Sequence, residues 1–210
     1  MHAHTNQPVF MEVAIIKYNA GTIYSVVHAN KRLGIDPIVT DDAETIKGAD
    51  CVLFPGQGEA AKTMEYLRER HLDSLIKELA QPVLGICIGM QLMCSCSEEN
   101  DATCLGIFVV PVKIFVSPAR ELKIPHMVWD SLSDMQTPLF KGLNTGDYVY
   151  FIHSYYVPLN EHTIAQNDYI LPFSAAIHKG NFYATQFHPE KSGTIGNTIL
   201  QNFLDIASQS

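Results

Sequence analysis

Val83-Leu84-Gly85-Ile86-Cys87-Ile88-Gly89-Met90-Gln91 is a short apolar run, a cysteine with a glycine two residues away on each side, and the first turn of a helical pattern that reaches Cys94. An apolar run of this length, bounded by turn signals, reads as a buried strand. The strand hands over to a helix at Cys87, in the Gly-x-nucleophile-x-Gly form of a strand-to-helix elbow. The flanking glycines let the backbone pass through a turn that side chains would obstruct. Such a turn pushes the thiol into the open, and the positive end of the following helix favours the thiolate, the form that attacks. A buried structural cysteine between closely packed glycines is the alternative, and the pentapeptide alone does not separate the two.

Outward from the elbow, short apolar runs alternate with helical patterns. Met11 to Ile16 reads as a strand ending in the turn Tyr18-Asn19-Ala20-Gly21. A helix follows with Ile23, Val26, Val27 and Leu33 on one face and Gly34 where a left-handed C-terminal cap belongs. Pro37 to Thr40 is a second strand. Cys51 to Phe54 is a third, cut off by Pro55-Gly56-Gln57-Gly58, and helical stretches around Ala60 to Arg70 and Asp73 to Leu79 lead to the elbow strand. This alternation predicts an α/β fold with a parallel sheet. Beyond the elbow, strands are expected at Phe108 to Phe115, Tyr148 to His153, Ala175 to His178 and Phe182 to Gln186, closed by a helix with Ile195, Ile199, Phe203 and Ile206 on its apolar face. Ser117 to Thr145, with several prolines and mixed polarity, reads as excursions from the sheet.

The chain has 210 residues, 47% of them hydrophobic and 17% charged, enough apolar material for one large core and too few charges for disorder. One domain over 9–210 is expected, with residues 1–8 a flexible tail. The formal charge of -8, with no basic cluster longer than Lys31-Arg32, speaks against a nucleic-acid partner. No apolar run approaches the about 20 residues that cross a bilayer, and the polar start is unlike a signal peptide, so a cytoplasmic protein off the membrane is expected. Five cysteines without a CxxC pair predict reduced thiols. Cys94, Cys96 and Cys104 lack a fourth nearby ligand and read as packing residues, so no metal is expected. Glu98-Glu99-Asn100-Asp101 reads as an exposed loop and not a catalytic carboxylate pair.

A nucleophilic thiol needs a base, and histidine is the usual one. Of nine histidines, His188 stands out because Gln186-Phe187-His188-Pro189-Glu190 leaves an apolar strand for a proline-bent turn. His188 and Glu190 lie two apart, and in an extended segment they point the same way, which lets the carboxylate hold the imidazole in one tautomer. Pro55-Gly56-Gln57-Gly58 can turn peptide N–H groups toward a substrate, and the N–H of Ile88 can supply another oxyanion donor.

In their order along the chain, Pro55-Gly56-Gln57-Gly58, Gly85-Ile86-Cys87-Ile88-Gly89-Met90-Gln91 and Gln186-Phe187-His188-Pro189-Glu190 resemble the class I, or triad, glutamine amidotransferases. Pro125-His126-Met127-Val128-Trp129-Asp130 and Tyr150-Phe151-Ile152-His153-Ser154-Tyr155 are similar to segments of the glutaminase subunit of imidazole glycerol phosphate synthase. Met90 agrees with that branch, since the anthranilate and GMP synthase relatives usually carry histidine there. The resemblance covers nearly the whole chain. It implies one glutamine amidotransferase domain with a flavodoxin-like three-layer sandwich around a mixed, largely parallel sheet, and no cofactor.

The resemblance further implies that Cys87 attacks the side-chain amide of L-glutamine, His188 shuttles the proton and Glu190 orients His188. Backbone N–H groups of Gln57, Gly58 and Ile88 would take the oxyanion, and Gly56, Gln91, His153, Ser154 and Tyr155 would hold the substrate. Trp129, Tyr150 and Lys191 would face a separate (β/α)₈ cyclase subunit, the partner in a heterodimer that uses the ammonia to close the imidazole ring in histidine biosynthesis. Two departures stand out: the family commonly has a small aliphatic residue at Gln57, and Gly-Trp-Asn where this chain has Val128-Trp129-Asp130. Other readings stay open at this point. They are a glutaminase subunit feeding another acceptor (in pyridoxal phosphate, anthranilate or aminodeoxychorismate synthesis), a cysteine peptidase-like elbow hydrolase, and a non-catalytic scaffold.

Overall fold

The computed structural model describes residues 10–18, 21, 23–56, 58–118 and 122–210. The tail expected at 1–8, the Asn19-Ala20 part of the first turn and Gln57 therefore lie outside the described residues. The first half builds β1 (Val13–Ile16), α1 (Ile23–Arg32), β2 (Ile38–Thr40), α2 (Ala43–Gly48), β3 (Cys51–Gly56), α3 (Ala60–Glu69), α4 (Leu72–Glu78), β4 (Val83–Cys87) and α5 (Ile88–Met93). The second half adds β5 (Cys96–Ser97), β6 (Ala102–Thr103), β7 (Pro111–Ile114), β8 (His126–Ser131), β9 (Tyr148–His153), β10 (Tyr155–Tyr156), β11 (Thr163–Tyr169), β12 (Leu171–Lys179), β13 (Phe182–Thr185) and α6 (Gly193–Ala207).

A seven-stranded sheet runs in the order β11-β12-β13-β4-β3-β1-β2. From β2 to β13 all pairings are parallel, while β12 and β11 join antiparallel, so the sheet is mixed and largely parallel as expected. Every residue of β1, β3, β4 and β13 is buried, which is why those segments read as continuous apolar runs instead of alternating ones. The side chains divide between two cores. Val13, Ile15, Leu53 and Leu84 pack with Val26 of α1 and Ile199 and Phe203 of α6, while Ala14, Ile16, Val52 and Val83 pack with Met64, Leu67 and Ile76 of α3 and α4. Helices on both faces of one sheet make the three layers.

Gly34 ends α1 with φ +82°, and the N–H groups of Gly34 and Ile35 return to the carbonyls of Lys31 and Asn30, closing the helix as its sequence suggests. The α2 helix escapes a periodicity reading because Ile46 is its one buried residue; Asp42 starts it by accepting the Thr45 N–H at 2.8 Å.

The Ser117 to Thr145 stretch does leave the main sheet, but it holds a strand. β8 pairs antiparallel with β9 from His126↔His153 to Ser131↔Tyr148. The strand expected at Phe108 to Phe115 is shorter, Pro111–Ile114, and belongs to a small separate sheet. β12 starts at Leu171, before the expected Ala175, because its residues from Leu171 to Ile177 pair with β11.

The parallel strands β3 and β4 end side by side, with Gly56 opposite Cys87, and β13 runs out beside them into Gln186. A pocket outside the C-terminal ends of such strands is where open α/β sheets bind ligands.

Candidate active site

Cys87 is the last residue of β4 and precedes α5, with φ 55° and ψ -107°, a left-handed conformation that a side-chain-bearing residue adopts only under constraint. The constraint is the close packing of α5 on β3. A Cβ on Gly89 would lie 1.9 Å from the Phe54 carbonyl oxygen, and one on Gly85 would lie 3.0 Å from the Gly89 backbone. Because the obstacle at Gly89 is backbone, Gly89→Ala should cost about 1–3 kcal/mol, read as a fall in Tm of roughly 3–10 °C. An unchanged melting curve would show that α5 is free to move off β3.

His188 follows β13 and is held from two sides. Its N–H donates to Tyr150 O at 2.9 Å, and its carbonyl accepts from Ser192 Oγ at 2.6 Å. Ser192 Oγ in turn accepts from the Tyr150 N–H at 3.0 Å, so β9 fixes the backbone of His188. Glu190 Oε1 lies 2.7 Å from His188 Nδ1, with both side chains fully buried. The carboxylate accepts, so Nδ1 carries the proton and Nε2 is left as a base. Burial opposes a charge on this ring, but once the facing Cys87 sulfur has given up its proton, that sulfur, followed by Glu190, outweighs burial and holds the imidazolium up to about 10. Among the described residues neither His188 Nε2 nor Glu190 Oε2 has a hydrogen-bond partner. The structure corrects how this pair forms. Pro189–Lys191 is a single 3₁₀ turn, and that turn, not the alternation of an extended strand, swings Glu190 under the imidazole.

A cavity of about 320 Å³ opens over Cys87, walled by Gly58, Ile88 and Gln91 on one side and Ile152, His153, Ser154 and Tyr155 on the other. His188 and Glu190 stand behind Cys87 and do not line it. Gly56 does not line it, and its missing side chain serves close packing: a Cβ there would meet the Ile88 side chain and the Tyr18 hydroxyl at under 2 Å. That hydroxyl donates to the Pro55 carbonyl and ties β3's end to the loop after β1. Trp129 and Tyr150 lie outside the cavity on β8 and β9, their rings edge to face at 6.0 Å, and Trp129 is half exposed. Lys191 sits on the turn that carries Glu190.

Two residues at the site were not assigned from sequence. Glu99 lines the cavity and accepts the Ala60 N–H at 2.8 Å. Burial raises its pKa, the Ala60 hydrogen bond opposes this, and the neighbouring Glu59 adds to it. The charge run around it looked like a solvated loop. Left-handed Asn100 and Asp101 turn that loop back against α3, and no periodicity announces such a turn. Gln186 is completely buried, donates from Nε2 toward the Cys87 sulfur at 3.8 Å and accepts from Gln91 Nε2 at 3.1 Å. Gln91 Nε2 also donates to Tyr155 O at 3.1 Å, which commits its amide hydrogens and leaves its carbonyl oxygen to accept from a ligand.

The arrangement can therefore carry acyl transfer: a sulfur nucleophile on an elbow, an oriented imidazole, the Ile88 N–H at the start of α5 for an oxyanion, and acceptors at Gln91 and Glu99 for an ammonium group.

The family model for class-I glutamine amidotransferases matches residues 14–207. The imidazole glycerol phosphate synthase subunit HisH of Bacteroides fragilis is 59% identical over 196 residues, 93% of this chain and 100% of the relative. The HisH subunit of Photorhabdus laumondii is 44% identical, again over 93% of this chain and 100% of the relative. Among solved structures, a putative GMP synthase protein from Thermoplasma acidophilum superposes with a TM-score of 0.71 at 21% identity, covering 95% of each chain. A structure described as a glutamine amidotransferase gives 0.71 at 20% identity, covering 93% of this chain and 98% of its own. At those identities the structural neighbours speak for the fold alone.

Proposed function

The chain belongs to the class-I glutamine amidotransferases, and from that premise we propose that it is the glutaminase subunit of an imidazole glycerol phosphate synthase, releasing ammonia from L-glutamine for a cyclase partner in histidine biosynthesis. The observation that carries the chemistry is His188, held 2.7 Å from Glu190 behind Cys87 of the pocket lining, with Nε2 unpaired among the described residues. The acceptor assignment rests on relatives at 44–59% identity that bear the subunit's name over their full length.

The reaction runs as two acyl transfers. His188 Nε2 takes the Cys87 proton, and the thiolate attacks the side-chain carbonyl carbon of glutamine. The carbonyl π pair moves to oxygen, where the Ile88 N–H and the loop at Gly58 receive it. As the tetrahedral intermediate collapses, His188 gives its proton to the departing nitrogen and ammonia leaves a glutamyl thioester on Cys87. Water, deprotonated by the same ring, attacks the thioester, the sulfur leaves, and glutamate is released. Glu190 keeps Nδ1 protonated and offsets the imidazolium charge in both halves. Gln91 Oε1 and Glu99 face the substrate's ammonium, while the Ser154-Tyr155 wall takes its carboxylate end.

The cyclase face lies at Trp129, Tyr150 and Lys191, where two aromatic side chains suit an anchoring role. The reading carries a cytoplasmic location with it, in keeping with five unpaired cysteines. No helix among the described residues is long and apolar enough to cross a membrane.

The test is glutamate release by the purified chain alone and then with the cyclase of an imidazole glycerol phosphate synthase and its nucleotide substrate. A large rise that needs Cys87 is expected. Activity indifferent to the cyclase would keep the glutaminase and overturn the acceptor, and no release in either condition would leave a scaffold.

A further inference from the structure

The polar groups behind the pocket form one chain, and the direction of each hydrogen bond in it can be assigned. Gln186 Nε2 donates toward the Cys87 sulfur, Gln186 Oε1 accepts from Gln91 Nε2, and Gln91 Nε2 also donates to Tyr155 O. The same carbonyl lies 2.7 Å from His153 Nδ1. A carbonyl only accepts, so the His153 proton is on Nδ1. Burial keeps that ring neutral, pushed down to about 3, and its Nε2 is therefore a bare acceptor. His126 Nδ1, 3.1 Å away, must be the donor to it. The remaining nitrogen, His126 Nε2, lies 3.2 Å from Asp130 Oδ2. In a neutral His126 with its proton on Nδ1, that contact sets a lone pair against a carboxylate lone pair and repels. One more proton turns it into a charge-assisted hydrogen bond.

We infer that a proton held between His126 and Asp130 completes this chain, making them positioning residues that fix the Tyr155 and Gln91 walls of the glutamine pocket from β8. The inference rests on the glutaminase reading for its substrate, but not for its proton count. The site is built for the purpose. His126 is fully buried, stacked on Tyr169 of β11 at 3.9 Å and on Phe151 of β9 at 4.7 Å. The titratable groups facing it are Asp130 on its own strand, His153 on β9 and Tyr169 on β11, and Asp130 is the carboxylate among them. Burial draws His126 below the ordinary histidine range while Asp130 opposes the shift. The shared proton is therefore bound at low pH and lost as pH climbs through that lowered range. The chain is closed on the acid side and sprung at its Asp130 end on the alkaline side.

The experiment compares the glutamine KM of the complex with its cyclase partner, wild type against Asp130→Asn, from about pH 5 to pH 8. The asparagine amide can donate to a neutral His126 Nε2, so it closes the chain without the extra proton. The wild-type KM should rise about threefold to tenfold across the range and the Asp130→Asn KM should stay flat, with the difference in KM and not in kcat. Identical KM profiles would overturn the inference, because a merely structural Asp130 has no reason to set a pH limb. Nitrogen-15 NMR of the histidines in the chain itself reads the proton count without any substrate. Protons on Nδ1 of both His126 and His153 in Asp130→Asn are expected, and a neutral His126 protonated on Nε2 would overturn the assignment. A complex that releases no glutamate at any pH would count against the glutaminase reading, and the NMR result would then decide the chain by itself.

Discussion

Cys87→Ser is expected to cut glutamine-dependent synthesis by the assembled enzyme at least about a thousandfold while synthesis from added ammonium stays at the wild-type level. The size follows from the nucleophile. A serine hydroxyl holds its proton far more tightly than a thiol, and a neutral hydroxyl sets no charge against the His188 imidazolium, whereas a charged Cys87 sulfur is one of the forces that raise that ring to about 10. An alkoxide is not available on those terms, so the first acyl transfer stalls. The fold is not at risk. Serine is slightly smaller than cysteine, and Cys87 is held at φ 55° by the packing of Gly85 and Gly89 and not by its own side chain. In the proposed division of labour ammonium bypasses this chain altogether, because ring closure is assigned to the cyclase partner. Steady-state product formation with each nitrogen source, on the same preparation, separates the two activities. A variant that loses both would show that Cys87 holds the complex together and would end the proposed division of labour.

What the sequence could and could not disclose follows from where each contact partner lies. The elbow was legible because its determinants are consecutive: Gly85 and Gly89 flank a cysteine that is buried yet lines the cavity, and β1, β3 and β4 are apolar throughout because both their faces are covered. The β8 and β11 strands were not legible. Their burial is partial, and their pairing is dictated by β9 and β12, which arrive later in the chain. The juxtaposition of His188 and Glu190 was readable from spacing, but its geometry was not, because the 3₁₀ turn at Pro189 replaces the strand assumed there. Glu99 and Gln186 needed the tertiary structure. One looks like part of a solvated charge run until α3 meets it, and the other like an ordinary strand residue until Gln91 of α5 does. Asp130 is the clearest case. From sequence it is a departure at a partner-facing loop, whereas in the fold it terminates a chain of polar contacts that reaches the Cys87 sulfur.

Glu190→Gln tests the other half of the proposed mechanism and should lower kcat by about 10²–10⁴ with little change in glutamine KM. The buried carboxylate performs two tasks at 2.7 Å: it accepts the Nδ1 proton, which leaves Nε2 facing Cys87, and it stabilises the imidazolium when the thiol proton arrives. An amide of the same shape can present either its oxygen or its NH₂ to Nδ1. Half of those arrangements place the histidine proton on Nε2, where it cannot accept from sulfur. Even in the correct orientation the amide has no charge to set against the imidazolium. At about 1.4 kcal/mol per decade, the expected loss is roughly 3–5 kcal/mol, in line with removal of one buried partner from a charged hydrogen bond. The pH dependence supplies the decisive sign. With Glu190 present, the imidazolium formed when His188 takes the thiol proton is held up to about 10. Without the carboxylate, burial acts with less opposition, the ring loses its proton at lower pH, and the alkaline limb of kcat should move down toward the neutral range. A variant with reduced kcat but an unmoved alkaline limb would mean that Glu190 orients the ring without sharing its charge.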